Sequence, residues 1–467
     1  MSRPWIAEWH PDDDVFWEST GKRIARRNLV FSIFAEFLGF TVWLLWSVTA
    51  VRLSKAGFNF STSQLFTLVS VPALVGAAVR IPYTFAVARF GGRNWTVVSA
   101  SLLLIPIAFL VVLVSDPDTP FWLFLVGAGT AGLGGGNFAS SMANISYFYP
   151  DKRKGVALGF NAAGGNVGVA VVQLIVPLVV GVGALAVVGG SQGAAPDGSG
   201  AIYLQNAALI WVPFILTAVA CAWFFMDNLR VAVAPPRAQA VVLRRSQTWV
   251  MSWLYVGTFG SFIGYSAGLP LMVKTQFPQV GLSIAFLGPL IGSISRPAGG
   301  WLADRLGGAR ITFATFVAMS AAAGGVGFFL SNKNESWAFN GFLSSFVVLF
   351  LLAGIGNGST FRMIPVIFRA LHLAEVTGQG PDAEKAAVAK AKRETAAVLG
   401  FTSAIGAFGG WLIPQGYGLS TAITGQPQSA LIGFVAFYAS CLGLTWWFYL
   451  RRRESPGRVP SFASAGV

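Results

Sequence analysis

The sequence predicts an all-α integral membrane protein with twelve transmembrane helices in two six-helix, pseudo-symmetric halves. Three observations predict it. First, of 467 residues 54% are hydrophobic and only 11% charged, with mean hydropathy +0.64, where a soluble domain carries about 25% charged residues. Second, apolar runs long enough to cross a bilayer, about 20 residues each, recur along the whole chain. Third, residue patterns of the first half return in the second. The composition excludes a soluble enzyme, a disordered chain and a nucleic-acid-binding domain, despite a net charge of +14. Cys221 and Cys441 both lie inside apolar runs, so no disulfide framework is expected.

The runs fall at 29–53, 65–88, 95–114, 121–149, 155–185, 202–226, 249–273, 281–303, 311–330, 341–368, 396–418 and 429–450. None sustains period-two alternation, and backbone in lipid must bond within its own segment, so each reads as a helix. With the N-terminus placed in the cytoplasm, 25 of the 32 Lys and Arg residues fall in inside segments. Only Arg52, Lys55, Lys274 and Lys333 fall outside, as the positive-inside rule requires. An even number of spans returns the basic C-terminus to the cytoplasm. The expected division is a cytoplasmic segment at 1–28, a six-helix half at 29–226, a linker at 227–248 with Pro235 and Pro236, a second half at 249–450 and a tail at 451–467. Residues 1–28 lack the apolar core of a secretory signal. Their Trp5, Trp9, Phe16 and Trp17 either lie at the membrane surface or pack on cytoplasmic loops. The Ala-, Lys- and Glu-rich stretch Asp382–Glu394 reads as a short exposed helix.

The duplication is visible in spacing. Arg80, Arg89, Gly91 and Gly92 are matched 216 positions later by Arg296, Arg305, Gly307 and Gly308. Gly159, Phe160, Gly165 and Gly168 are matched 241 positions later by Gly400, Phe401, Gly406 and Gly409. Such six-plus-six repeats place a substrate site at the midplane between the halves. Only Glu36, Arg80, Arg296 and Arg362 are ionisable acidic or basic residues well inside the spans, so each is a functional candidate. Arg80 and Arg296 each stand nine residues before a basic loop residue, about 13 Å from the cytoplasmic edge, near the midplane. Two guanidiniums there form an anion trap, and their planar forks suit a small oxyanion. Glycines at small-xxx-small spacing, Gly164 with Gly168 and Gly406 with Gly410, predict close helix packing and a small cavity. Glu36 and Arg362 fall at equal depth, which allows a salt bridge across the cavity in at least one state; the alternative is that Glu36 bonds within its own half and Arg362 reaches the cytoplasmic rim.

At these residues the chain resembles the nitrate/nitrite porter family of the major facilitator superfamily, over essentially its full length. Gly159–Gly168 and Gly400–Gly410 are similar to that family's paired signature motifs, carrying Gly164, Gly165, Gly168, Gly406, Gly409 and Gly410. The resemblance implies that Arg80 and Arg296 clamp the substrate. It also implies that Phe138, Tyr255 and Phe259 line the site and that Asn166 bonds the anion. Ala88 departs from the superfamily's loop pattern, standing where its repeat partner is Asp304. The expected function is nitrate/nitrite antiport by alternating access in a bacterial inner membrane, in nitrate assimilation, by a monomer in the lipid bilayer. Proton symport through Glu36 is the alternative, and a carrier for another small oxyanion a more remote one. A membrane enzyme is disfavoured: His10 and His372 are the only histidines, both in cytoplasmic segments, and no metal-ligand cluster or cofactor motif appears. No metal, cofactor or nucleic acid is expected.

Overall fold

The computed structural model describes residues 5–185, 187–192, 201–232 and 240–451, with Phe462 and Val467. Among them, twelve long helices follow one another. They are α1 (Asp14–Trp43 with Leu45–Ala56), α2 (Thr62–Phe90), α3 (Gly92–Leu113), α4 (Phe121–Phe148), α5 (Asp151–Val179) and α6 (Asn206–Phe225). Then come α7 (Ser246–Gln276), α8 (Leu287–Leu306), α9 (Gly308–Ser331), α10 (Ala338–Glu375), α11 (Pro381–Thr424) and α12 (Ser429–Leu450). Nine are long and apolar enough to cross a membrane, and α1, bent by 41° between its two parts, makes a tenth. The other two are diluted by what they carry. α4 holds a run of glycines with Asn137 and Asn144, and α8 holds Arg296, Asp304 and Arg305. The twelve-helix arrangement thus rests on helix order, where hydropathy alone would miss two helices.

Local chemistry sets the helix ends. A capping box of Ser61 and Gln64 starts α2, and Pro120 and Pro150 precede α4 and α5. Gly425, in the left-handed region at φ 73°, closes α11. The apolar window of α7 is 94% buried, against 22–39% for α3, α6, α9 and α12. So α7 is interior, and those four present apolar flanks outward, among them Trp223, Phe224 and Ile432.

Two expectations are corrected or decided here. Asp382–Glu394 is not a separate helix but the first turns of α11; no proline stands between Pro381 and Ala407, so the helix propagates. The N-terminal segment packs on loops. Trp9 lies edge-on to Phe148, Trp17 lies against Tyr149, and Ile6 donates its N–H to the Asn228 carbonyl at 2.9 Å. Pro235, Pro236 and Arg237 of the linker, and Arg452, Arg453 and Arg458 of the tail, lie outside the described residues.

Candidate anion site

The centre of the bundle is built on one face of α4. Gly135, Phe138 and Ser141 recur every three residues and so share that face. The absence of a side chain at Gly135 matters, because a Cβ there would strike the Trp43 indole. Arg80 of α2 is fully buried, and its Nε donates to the Gly135 carbonyl at 2.8 Å. Its Nη1 donates to the Ser403 carbonyl of α11, also at 2.8 Å. Its guanidinium carbon stands 5.0 Å from the Trp43 ring, 4.8 Å from Phe138 and 4.9 Å from Phe259, each within cation–π range. Arg296 of α8 is buried opposite. Its Nη2 donates to the Tyr255 hydroxyl at 3.0 Å, and its guanidinium lies 5.4 Å from Phe138 and 5.3 Å from Phe361.

Phe138 therefore touches both arginines. Phe259 stacks on Phe138 at 5.8 Å and on Tyr255 at 5.3 Å, which joins the aromatic wall. Each guanidinium keeps one buried terminal nitrogen without a hydrogen-bond partner among the described residues: Nη2 of Arg80 and Nη1 of Arg296. Asn166 of α5 is fully buried, and neither atom of its amide is bonded. Buried polar groups are normally satisfied; the amides of Asn137 and Asn357 are likewise buried and unbonded among the described residues.

The signature glycines serve the site at one remove. A Cβ on Gly164, Gly165 or Gly168 would strike Ile33, Glu36 or the Phe37 carbonyl, which seats α5 on α1. A Cβ on Gly406, Gly409 or Gly410 would strike Tyr255, Gly260 or Ile263, which seats α11 on α7. The glycines thus fix the helices that carry the polar side chains, as packing glycines do.

The Glu36–Arg362 pair is not made. Glu36 accepts from Ser141 and, at 2.8 Å, from the Asn161 amide. Arg362 pairs instead with Asp304, and both are about half exposed. Arg369, the basic residue seven positions after Arg362, does not end its helix, because α10 runs on to Glu375, so equal depth with Glu36 does not follow from it. Sequence reasoning also missed Trp43, Phe361 and the Gly135 and Ser403 carbonyls. Carbonyls leave no trace in side-chain identity; Phe361 could have been found from its place beside Arg362 in the apolar run of α10.

On the face of the bundle away from the termini, the helices close tightly. Phe66 meets Tyr417 at 6.0 Å, Gln415 donates to Ser70 at 3.0 Å, and Gln173 donates to the Ser266 carbonyl at 2.7 Å. Toward the other face a narrow cleft runs from Phe138 past Met142 and Gly400 to Ser146 and Ala396. There, Lys392 of α11 pairs with Asp151 of α5.

A helical bundle with a buried cationic centre and an apolar rim is the layout of a membrane transporter, and residues 29–380 match the Major Facilitator Superfamily. The chain belongs to that superfamily. It is 47% identical over 449 residues to the nitrate/nitrite transporter NarU of Salmonella typhimurium, covering 96% of each chain. It is 34% identical over 456 residues to the probable nitrate/nitrite antiporter NarK2 of Thermus thermophilus, covering 96% of this chain and 97% of that one. Among solved structures, the xylose transporter XylE of Escherichia coli aligns with TM-score 0.64 at 13% identity, over 92% of this chain and 100% of that one. A bacterial homologue of the lysosomal transporter Spinster aligns with TM-score 0.61 at 14% identity, over 90% and 95%. These two share the fold.

Proposed function

We propose that the chain exchanges nitrate for nitrite across a bacterial cytoplasmic membrane, with both termini inside. In this reading the halves 29–226 and 249–450 alternate access around Arg80 and Arg296, and a monomer suffices. The observation that carries the reading is the pair of buried guanidiniums, each with a spare nitrogen, on either side of Phe138. Nitrate is planar and weakly hydrated, and a guanidinium fork matches its oxygens. The aromatic wall excludes water and strengthens the contacts. Asn166 supplies a further donor. The relatives are named for nitrate and nitrite, and one as a probable antiporter. An empty site that closes buries two positive charges, a costly state that a bound anion relieves; this favours exchange over the return of an empty carrier. The closed contacts at one face and the cleft toward the basic face fit an inward-facing state.

Counterflow in proteoliposomes tests this. Nitrate uptake should need internal nitrite or nitrate and should ignore an imposed pH gradient. Uptake driven by a pH gradient alone would overturn exchange. One observation favours a second reading, proton symport: Glu36 forms no ion pair among the described residues and so remains a buried carboxylate available to a proton. Accumulation driven by a pH gradient and lost in Glu36→Gln would establish that reading.

A further inference from the structure

We propose that Glu36 is a specificity-determining residue of the anion site, restricting it to singly charged oxyanions. The inference rests on the reading that Arg80 and Arg296 hold the anion. It takes Glu36 as ionised while the anion is bound, and so belongs to the exchange reading, in which Glu36 carries no proton.

The repeat places Glu36 beside the arginine pair. Gly165 and Gly406 correspond at the 241-residue offset, and each presses on one side chain of the neighbouring helix: Gly165 on Glu36 and Gly406 on Tyr255. Tyr255 is the side chain that bonds Arg296, so Glu36 holds the matching position in the first half. The shared face of α4 carries the connection. Along it the Gly135 carbonyl bonds Arg80, the Phe138 ring meets both guanidiniums, and the Ser141 hydroxyl bonds Glu36. Those six residues of helix span about 9 Å. The other buried carboxylates among the described residues are paired with arginines elsewhere. Asp227 is bonded to Arg27 at 2.6 Å, and Glu394 lies 3.4 Å from Arg245.

Two donors converge on Oε2 of Glu36, and its Oε1 is buried with no hydrogen-bond partner among the described residues. Ser141 and Asn161 both give hydrogens to Oε2, and Ser32 stands 2.9 Å behind Ser141. An ionised carboxylate only accepts, and donors that converge on it favour that form. With Glu36 ionised, the buried centre holds two positive charges and one negative. A singly charged oxyanion brings it to neutrality. A doubly charged one leaves an uncompensated buried charge, which is strongly unfavourable. Shape alone does not provide this discrimination, because oxyanions of equal shape occur with either charge.

Shape-matched pairs therefore test it: perchlorate against sulfate, both tetrahedral, and chlorate against sulfite, both pyramidal. Each competes with nitrate for the purified full-length protein in detergent at pH 8. The wild type should prefer the singly charged member of each pair by about 100-fold or more. Glu36→Gln should shrink both ratios by about tenfold or more, while Glu36→Asp keeps them. A purely structural role would weaken both members of a pair alike. Wild-type ratios near one overturn the proposal without any variant. So do unchanged ratios in Glu36→Gln when Arg80→Gln still abolishes nitrate binding. If nitrate binding also survives Arg80→Gln and Arg296→Gln, it is the assignment of the site to the arginines that fails.

Discussion

Two regions of the molecule carry the same sequence device and anchor it differently. In α2 and its loop, Arg80 is held by main-chain carbonyls, from Gly135 of α4 and Ser403 of α11. In α8 and its loop, Arg296 is held by a side chain, the Tyr255 hydroxyl. The loops differ in the same sense. Gly91 and Gly307 close α2 and α8 with matching φ of 84° and 90°, yet what surrounds them diverges. Asn228 accepts the main-chain N–H of Arg93 at 2.9 Å behind Gly91, while Asp304 pairs with Arg362 before Gly307. Duplication preserved backbone and charge, and the two copies then found separate anchors. A substitution at one copy should therefore not be mirrored at the other, except where the fork itself is removed.

The largest effect is expected where the copies are equal. Arg80→Lys and Arg296→Lys keep the charge but lose the planar fork, and a lysine cannot bond its anchor and an anion in the same geometry. Each should lose about 2–5 kcal/mol of nitrate binding, the range for breaking a buried, hydrogen-bonded charge pair. Titration calorimetry on purified protein reads this directly. Near-normal affinity in one lysine variant would show that only one copy clamps the anion.

Next come the loop glycines. Their φ and ψ lie in a region nearly restricted to glycine, where a side chain costs about 1–3 kcal/mol. Gly91→Ala should be the worse of the two, because its Cβ would also meet the Trp5 ring at 2.7 Å and the Asn228 side chain, whereas at Gly307 the nearest atom is the Val467 carbonyl oxygen at 3.3 Å. Thermal unfolding in detergent should rank Gly91→Ala below Gly307→Ala. The reverse order would contradict the packing that distinguishes the two loops.

Tyr255→Phe sharpens the contrast between anchors. The ring keeps its stack on Phe259, and only the hydroxyl that bonds Arg296 is lost. Hydrogen bonds to charged groups contribute about 1.5–3 kcal/mol, so nitrate affinity should fall roughly tenfold or more. Arg80 offers no such handle, since no side-chain substitution deletes a main-chain carbonyl. Unchanged affinity in Tyr255→Phe would mean that Arg296 is positioned by packing alone.

How much of this was legible in the sequence follows from the same contrast. Arg80 and Arg296 were readable because charge inside an apolar run is conspicuous and the nine-residue spacing to the loop fixes depth. Phe138, Tyr255 and Phe259 came from family resemblance, and no periodicity separates them from the other aromatics among 39 Phe and 9 Tyr. Asn161 was passed over beside the more conspicuous Asn166, although it is Asn161 that bonds Glu36. The Gly135 and Ser403 carbonyls were invisible because main chain carries no residue label. Helix ends were the weakest inference. α10 runs on to Glu375 and α11 starts back at Pro381, beyond the apolar runs, and in this structure Glu36 and Arg362 take separate partners.

The smallest effect is expected at the ion pair that took its place. Asp304 and Arg362 are 53% and 45% exposed, and exposed pairs contribute about 0–1 kcal/mol. The first copy manages with Ala88 at the matching position, which points the same way: the loop is held by its glycine backbone, and the charge is an addition. Asp304→Asn should therefore lower the unfolding temperature by only a degree or two, since about 1 kcal/mol corresponds to a few degrees in a large domain. The double swap Asp304→Arg with Arg362→Asp should recover that small loss. The swap Glu36→Arg with Arg362→Glu should recover nothing, because it places a cation among the Ser141 and Asn161 donors that surround Glu36 and an anion beside Asp304. Nitrate exchange assayed in the same three variants gives the second measure. If Asp304→Asn slows exchange by tenfold or more while stability stays put, the pair acts on the conformational cycle rather than on the fold. The second loop would then carry a function for which the first has no counterpart.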